Sequence, residues 1–461
     1  MPDLRFAELC GLIEREAPQL HIPGVALGIL HGGETYTSGF GVTNVEHPLP
    51  VNEDTLFQIG STTKTVTATA AMRLVEQGRL DLNVPVRTYI PELRLQDGDA
   101  AAHVTMRHLF SHTGGWLGDY FADFGNGDDA LARMVAKMAD LPQITPLGRY
   151  WSYNNAGFYL AGRVLEVVAG KPFEMLAKEL VLDPLGMNMS FFTAAECITH
   201  RVAAGHEAVY EGQAGASSKT PKVARPWWIA RTAVPAGSIV STLRDQLTYA
   251  AFHVGDGRTP GGERILSPES LALMQQPYAP AANGEFSGVA WFIRDATGTR
   301  IVRHGGATNG QMSAFVLAPD RGFAITVLTN SDRGGELNMQ VVRRAMAAFL
   351  GIEEKDPEPI AADAAQLREY EGYYVSPLNH VELKLHDGRL VMEQHPQGGF
   401  PTPDSPPGPA EPPMTAALSA HDWLVLLDEP EKGMRGEFMR EEGEVRWLRF
   451  GGRMYRKKEE G

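Results

Sequence analysis

The stretches that read as strands fall in two blocks far apart in the chain, and most of what separates them reads as helix. Residues 24–30 (GVALGIL) and 34–42 (ETYTSGFGV) are apolar or alternating runs joined by His31-Gly32-Gly33, a hairpin signal. Strand-like runs return at 288–294 (GVAWFIR), 299–304, 311–317 and 323–330, followed by a helix at 336–350. From Thr62 to about residue 190 the chain is mostly helical, punctuated by Gly and Pro. Few folds accept this order. One antiparallel sheet must be completed by residues from both ends of the first 350, closed by helices, with a helical lobe of about 62–240 inserted between them. The expected class is α/β of the α+β kind, and the cleft between the lobes is the natural ligand site. The N-terminal stretch (MPDLRFAELCGLIEREAPQL) reads as an amphipathic helix with Leu4, Leu9, Leu12 and Ile13 inward.

Beyond residue 350 the pattern changes. Residues 351–366 are acidic and proline-containing and read as a linker. From Leu367 onward short runs (EGYYVS, VELKLH, RLVMEQ, WLVLLD, GEFMRE, EVRWLRF, RMYRKK) alternate with turn residues, so 367–461 is expected to be a separate all-β unit. Residues 396–413 interrupt it with Pro and Gly too dense for a strand, and a long mobile loop is expected there.

Composition removes several function classes. A net charge of −14 without clustered Lys and Arg speaks against a nucleic-acid surface. Cys10 and Cys197 are the only cysteines, too few for a disulfide framework or a thiolate metal site. No run of about 18 apolar residues suggests a membrane span, and no basic n-region with an apolar h-region suggests export, so a cytoplasmic location is expected. His206-Glu207 lacks the second histidine of H-E-x-x-H, and phosphate-loop, dinucleotide and G-x-S-x-G patterns are absent. No metal and no cofactor is expected.

Three short elements carry chemistry. Gly60-Ser61-Thr62-Thr63-Lys64 precedes an alanine-rich run (65–77) that Gly78 stops, so Ser61 should open a buried helix with Lys64 three residues on, on the same face. Serine needs a neighbour to take its proton, and a helix N-terminus offers N–H groups to a developing oxyanion. The plain alternative is a capping serine followed by a surface lysine. Tyr153-Asn154-Asn155 lies ahead of a second helix. Read structurally, Tyr153 is a core tyrosine and Asn155 a helix cap; read chemically, the phenol shuttles the Ser61 proton and the amide orients Lys64 or a substrate carbonyl. His304-Gly305-Gly306-Ala307 ends a strand-like run, where glycine lets a backbone approach a ligand closely. Trp116, Tyr120, Trp227, Trp228 and Trp291 are candidates for an aromatic cleft lining, each also at home in a core.

Taken in this order, the three elements resemble the serine β-lactamase and penicillin-binding-protein superfamily, in the class C-like branch with family VIII esterases and D-aminopeptidases. Leu109 to Gly115, Pro184 to Met187 and Pro235 to Thr242 look like the same family. The resemblance covers roughly residues 5–350, and the last unit looks like the lipocalin-like barrel appended to some members. It implies Ser61 as acylated nucleophile, Lys64 and Tyr153 as the proton-handling pair, Asn155 positioning Lys64 and the substrate amide, and Ser61 and Ala307 N–H groups as oxyanion hole. His304 stands where β-lactamases usually hold lysine. That loses a permanent positive charge for a substrate carboxylate, so esters or small amides are expected before β-lactams. A D-amino-acid-specific peptidase or amidase, a weak β-lactamase, or a non-catalytic scaffold whose barrel holds an apolar molecule are the alternatives. The partner expected is a small ester, amide or peptide, and self-association into a homo-oligomer stays open.

Overall fold

The computed structural model describes residues 3–210, 219–399, 404–408, 412–429 and 431–459. The strand Gly24–His31 shows why the first unit folds as it does, because it is apolar up to its last residue and covered on both faces. Alternate residues point to opposite sides. Val25, Leu27 and Ile29 join Leu9 and Ile13 of the helix Leu4–Gln19 and Leu337, Val341 and Phe349 of the helix Gly334–Leu350. Ala26 and Leu30 join the much larger core of the helical lobe. Gly28, between them, has no side chain because Leu243 leaves no room: a Cβ there would sit 2.8 Å from its Cδ1.

Eight antiparallel strands make this sheet, in the order Glu34–Gly41, Gly24–His31, Phe323–Thr329, Gln311–Ala318, Thr299–Thr308, Phe292–Ala296, Phe286–Ser287, Ala279–Pro280. N- and C-terminal parts meet where Gly24–His31 pairs with Phe323–Thr329. The strand expected at 288–294 begins only at Phe292. Ahead of it the chain turns: the Gly288 N–H donates to the Trp291 carbonyl at 2.8 Å, and Ala290 takes a φ of 63°. That apolar run serves packing, since Trp291 is buried against His253 and Phe315. Leu4, expected inward, is 84% exposed, because it lies on the first turn before the helix reaches the sheet.

The helix Thr63–Glu76 is buried over most of its length at the centre of the inserted lobe. A three-stranded sheet (Phe57–Gln58, Val240–Ser241, Ser190–Phe191) ties the lobe's two ends together. Among the described residues, no helix is long and apolar enough to cross a membrane.

The last unit is a closed barrel of eight antiparallel strands, running from Gly372–Ser376 to Arg453–Lys457. Seven of them match the expected runs; the strand Met414–Ala420 was not foreseen. Its sequence, MTAALSA, has few β-branched residues, yet Met414, Ala416 and Leu418 alternate inward. The interior is filled by the barrel's own side chains, among them Tyr374, Leu383, Met392, Leu426, Phe438 and Leu448. The expected loop at 396–413 lies partly outside the described residues. The linker is not a free spacer: Glu354 pairs with Arg294, Asp356 with Arg343 at 2.7 Å, and Ile360 N–H donates to the Leu418 carbonyl. Its end forms the helix Ala364–Arg368, opened by a capping box between Asp363 and Gln366.

Candidate active site

Ser61 sits in the turn Gly60–Thr62, directly before the buried helix. Two glycines permit what surrounds it. Gly60 has a φ of +52°, and a Cβ there would lie 2.7 Å from the Ala307 nitrogen; one on Gly306 would lie 1.9 Å from the Ile59 carbonyl oxygen. The serine turn and the strand Thr299–Thr308 thus meet backbone to backbone, with Ser61 and Ala307 side by side. Ser313 Oγ braces the junction, donating to the Ile59 carbonyl at 2.8 Å and lying 3.1 Å from Thr62 Oγ1.

Lys64, three residues on, is 0% exposed. Its Nζ lies 3.0 Å from Ser61 Oγ, 2.7 Å from Asn155 Oδ1 and 2.7 Å from the Ala236 carbonyl oxygen. The last two atoms only accept. A neutral amine spends its two N–H bonds on them, which leaves its lone pair facing the serine hydroxyl. Burial first, then the Arg453 guanidinium, hold Lys64 well below the usual lysine range, while Asp119 acts in the opposite sense. The bland alternative of a surface lysine does not apply here.

Asn154, not Asn155, caps the helix Asn155–Ala169, accepting from the Gly157 N–H at 2.6 Å. Asn155 is the first helical residue and turns its amide into the site. The Tyr153 ring packs 4.9 Å from Lys64 Nζ and stacks on His112 at 4.4 Å between centroids. Its hydroxyl lies buried against Ser61, in no ordered hydrogen-bond geometry among the described residues. Burial pushes this phenol above the usual tyrosine range, against the opposing pull of Ser61 and Arg453.

His304 is 2% exposed, with Nδ1 2.6 Å from the Gly305 carbonyl oxygen, so Nδ1 carries the proton and donates. Burial, with Lys64 adding to it, holds its pKa at about 3, which keeps the ring neutral at physiological pH. Gly305, Gly306 and Ala307 continue along the same cavity wall.

The cavity has a volume of about 760 Å³, and all eight expected site residues are at it except Lys64, which lies beneath Ser61. The expected aromatic lining needs correction. Trp228, 49% exposed, lines the cavity, but Trp116 and Trp291 belong to the core and Trp227 packs on Leu56 and Cys197. Tyr120 packs on the lobe core. Phe121, Trp151, Tyr159, Phe292 and Trp423 line it instead.

Sequence reasoning missed two residues next to Lys64. Asp119 Oδ1 accepts from Asn155 Nδ2 at 2.8 Å. Arg453 comes from the barrel and grips the same carboxylate with Nε at 2.6 Å and Nη2 at 3.0 Å, its guanidinium 4.7 Å from the Tyr153 ring centre. The tip of the last barrel hairpin is docked here, since the Tyr153 N–H donates to the Gly452 carbonyl at 2.9 Å and the Met454 N–H to Ser152 Oγ at 3.3 Å. Only the Gly451-Gly452 pair hinted at this in the sequence, and it reads as an ordinary turn.

Known proteins are similar to this chain to different extents. The chain is 32% identical over 350 residues to penicillin-binding protein 4 of Amycolatopsis lactamdurans, covering 75% of this chain and 90% of that one. It is 34% identical over 190 residues to the esterase EstB of Burkholderia gladioli, covering 38% of this chain and 48% of that one. The crystal structure of SurE matches over 99% of both chains with a TM-score of 0.74 at 23% identity, so the two-unit fold recurs there, barrel included. The β-lactamase family profile matches residues 11–348, and the chain belongs to that family of hydrolases.

Proposed function

We propose that the protein is a serine hydrolase that acts through an acyl-enzyme on esters or small amides. The observation that carries this is the Lys64 amine, fully buried, held well below the usual lysine range and placed 3.0 Å from Ser61 Oγ, so that its deprotonated form can act as base. Lys64 takes the hydroxyl proton while Oγ attacks the substrate carbonyl carbon, and negative charge gathers on the carbonyl oxygen. The Ser61 and Ala307 N–H groups face that oxygen. As the tetrahedral centre collapses, the proton passes by way of Tyr153 to the departing alcohol or amine, leaving the acyl group on Ser61. Water, deprotonated by the same pair, then attacks the acyl carbonyl and releases the acid, returning the proton to Ser61. His304 and Gly305 to Ala307 flank the acyl group, and Asn155 orients Lys64.

The substrate preference follows from charge and lining. A His304 ring that stays neutral above about pH 3 offers no fixed cation to a substrate carboxylate, so β-lactams are poor substrates in this reading. Phe121, Trp151, Phe292 and Trp423 favour an apolar acyl or leaving group. EstB is an esterase by name, which agrees with this preference. A barrel packed with its own side chains argues against a carrier of apolar molecules.

The test is a panel of p-nitrophenyl butyrate, D-alanine p-nitroanilide and nitrocefin, with fluorophosphonate labelling, on wild type and Ser61→Ala. Ester hydrolysis and labelling that both vanish in Ser61→Ala are expected, with nitrocefin the slowest substrate. Labelling that survives in Ser61→Ala sinks the assignment.

A further inference from the structure

We propose that Asp119 and the barrel residue Arg453 are positioning residues of the catalytic base, so that the β-barrel completes the active site of the hydrolase unit. This rests on the acyl-enzyme reading of Ser61 and Lys64. An asparagine amide can sit either way round, oxygen or nitrogen toward a given neighbour. With the oxygen on Lys64, Asn155 accepts an amine hydrogen and leaves the lone pair for Ser61. Turned over, it points an N–H at the amine, where it competes with Ser61 for that lone pair and blocks the base. Asp119 decides between the two, since an ionised carboxylate only accepts and its Oδ1 lies 2.8 Å from Asn155 Nδ2.

The Asp119 side chain is only 11% exposed, and a buried carboxylate is stable only with a partner. Arg453 is that partner, through the two bonds described above. Its second effect is electrostatic. A lone carboxylate this close would favour the protonated form of Lys64, and Arg453 cancels that charge; both act on the lysine in these senses. The other titratable groups facing Lys64 are Tyr153, His112 and His304. Burial keeps the phenol protonated and both imidazoles neutral through the working range. Asp119 and Arg453 are therefore the charges that set the protonation of the base.

The test is the pH dependence of fluorophosphonate labelling of Ser61 in the full-length chain, for wild type, Arg453→Met, Arg453→Lys, Asp119→Asn and the double variant Asp119→Asn/Arg453→Met. Removing Arg453 raises the lysine pKa, so the rising limb moves to higher pH. A shift of one unit cuts labelling about tenfold on the acid side and lets it recover above the new limb. Arg453→Lys keeps the charge and should keep the limb. Asp119→Asn should slow labelling at every pH without raising the limb, and the double variant should return the limb toward wild type. A limb that stays put in folded Arg453→Met overturns the proposal; if that variant does not fold, a fast, unchanged Asp119→Asn does the same. Should wild-type Ser61 resist labelling altogether, the acyl-enzyme reading has failed on its own. Crystal structures of Asp119→Asn and Arg453→Lys then decide this inference: an Asn155 amide turned from Lys64 in the first but not the second supports it, and an undisturbed amide in both overturns it.

Discussion

The floor and the roof of the cavity are built in opposite ways. Ser61, Lys64 and Asn155 stand at the starts of two helices deep in the lobe core, each held by backbone and side-chain partners a few ångströms away. Trp423, Arg449 and the tip from Phe450 to Arg453 arrive from a barrel with its own closed core, touching the floor through a short hairpin. The floor carries reactive groups that must be dry and rigid. The roof carries shape and charge on a turn. The contrast suggests that changes in the floor act on the chemical step, and changes in the roof act on the floor's protonation and on which substrates fit.

The largest effect that contrast predicts belongs to the proposed nucleophile. Ser61→Ala should lower ester hydrolysis by at least about 10⁴-fold, on the order of 5 kcal/mol of barrier, as loss of a serine nucleophile does elsewhere. Its melting temperature should stay near wild type, because Thr62 and Ser313 brace the turn without the Ser61 hydroxyl. Loss of structure together with activity would mean that floor and fold cannot be separated.

Acid should next divide the two units. His253 and His304 in the hydrolase unit are buried and held at about 3, burial being the first cause for both. Their folded pKa lies below the unfolded value of about 6.5, so the stability at stake is complete above that value and is lost as pH falls toward 3. By pH 4 each costs about 3 kcal/mol. Among the described residues the barrel has no histidine buried to this degree. Hydrogen exchange read segment by segment at pH 7 and pH 4 should show the lobe opening before the barrel strands. Equal loss in both would show that the units melt as one.

The same contrast explains what could be read from the sequence. Ser61 and Lys64 were legible as neighbours because a three-residue spacing on a helix is a local geometric fact. The sheet assembled from both ends was legible because strand runs and helical runs differ in period. Asn155 was harder: its neighbour Asn154 takes the cap, and nothing local says which of two adjacent asparagines turns inward. The run from Gly288 to Trp291 misled because a buried turn and a buried strand have the same composition. Asp119 and Arg453 were not legible at all. Their contact joins residues 334 apart through the docking of two units with separate cores, and neither lies in a periodic run or a motif that points at the other.

Two glycines give the contrast a backbone test. Gly306, in the floor, should tolerate nothing larger, since a Cβ would meet the Ile59 carbonyl oxygen at 1.9 Å and Ser313 Oγ at 2.7 Å. Gly306→Ala should cost about 1–3 kcal/mol by overpacking and move the Ala307 N–H away from Ser61, so kcat for ester hydrolysis falls with stability. Stability measured by urea unfolding and kcat should decline together; a stable variant with unchanged kcat would place the oxyanion donor elsewhere.

Gly452, in the roof, should respond more mildly. Its φ of +75° is a left-handed conformation, but a Cβ there would meet Trp151 at 3.4 Å and Tyr153 Cβ at 3.9 Å, which are ordinary contacts. Gly452→Ala should therefore cost only about 1 kcal/mol, the strain of a side chain in that conformation. A tip that yields by changing its backbone carries Arg453 with it, and the bidentate grip on Asp119 is the part least tolerant of movement. The pH profile of hydrolysis should then shift toward higher pH by a fraction of a unit, while kcat at its plateau stays near wild type. A plateau that falls as steeply as in Gly306→Ala would show that the roof takes part in the chemical step, and the separation of floor from roof would no longer describe this site.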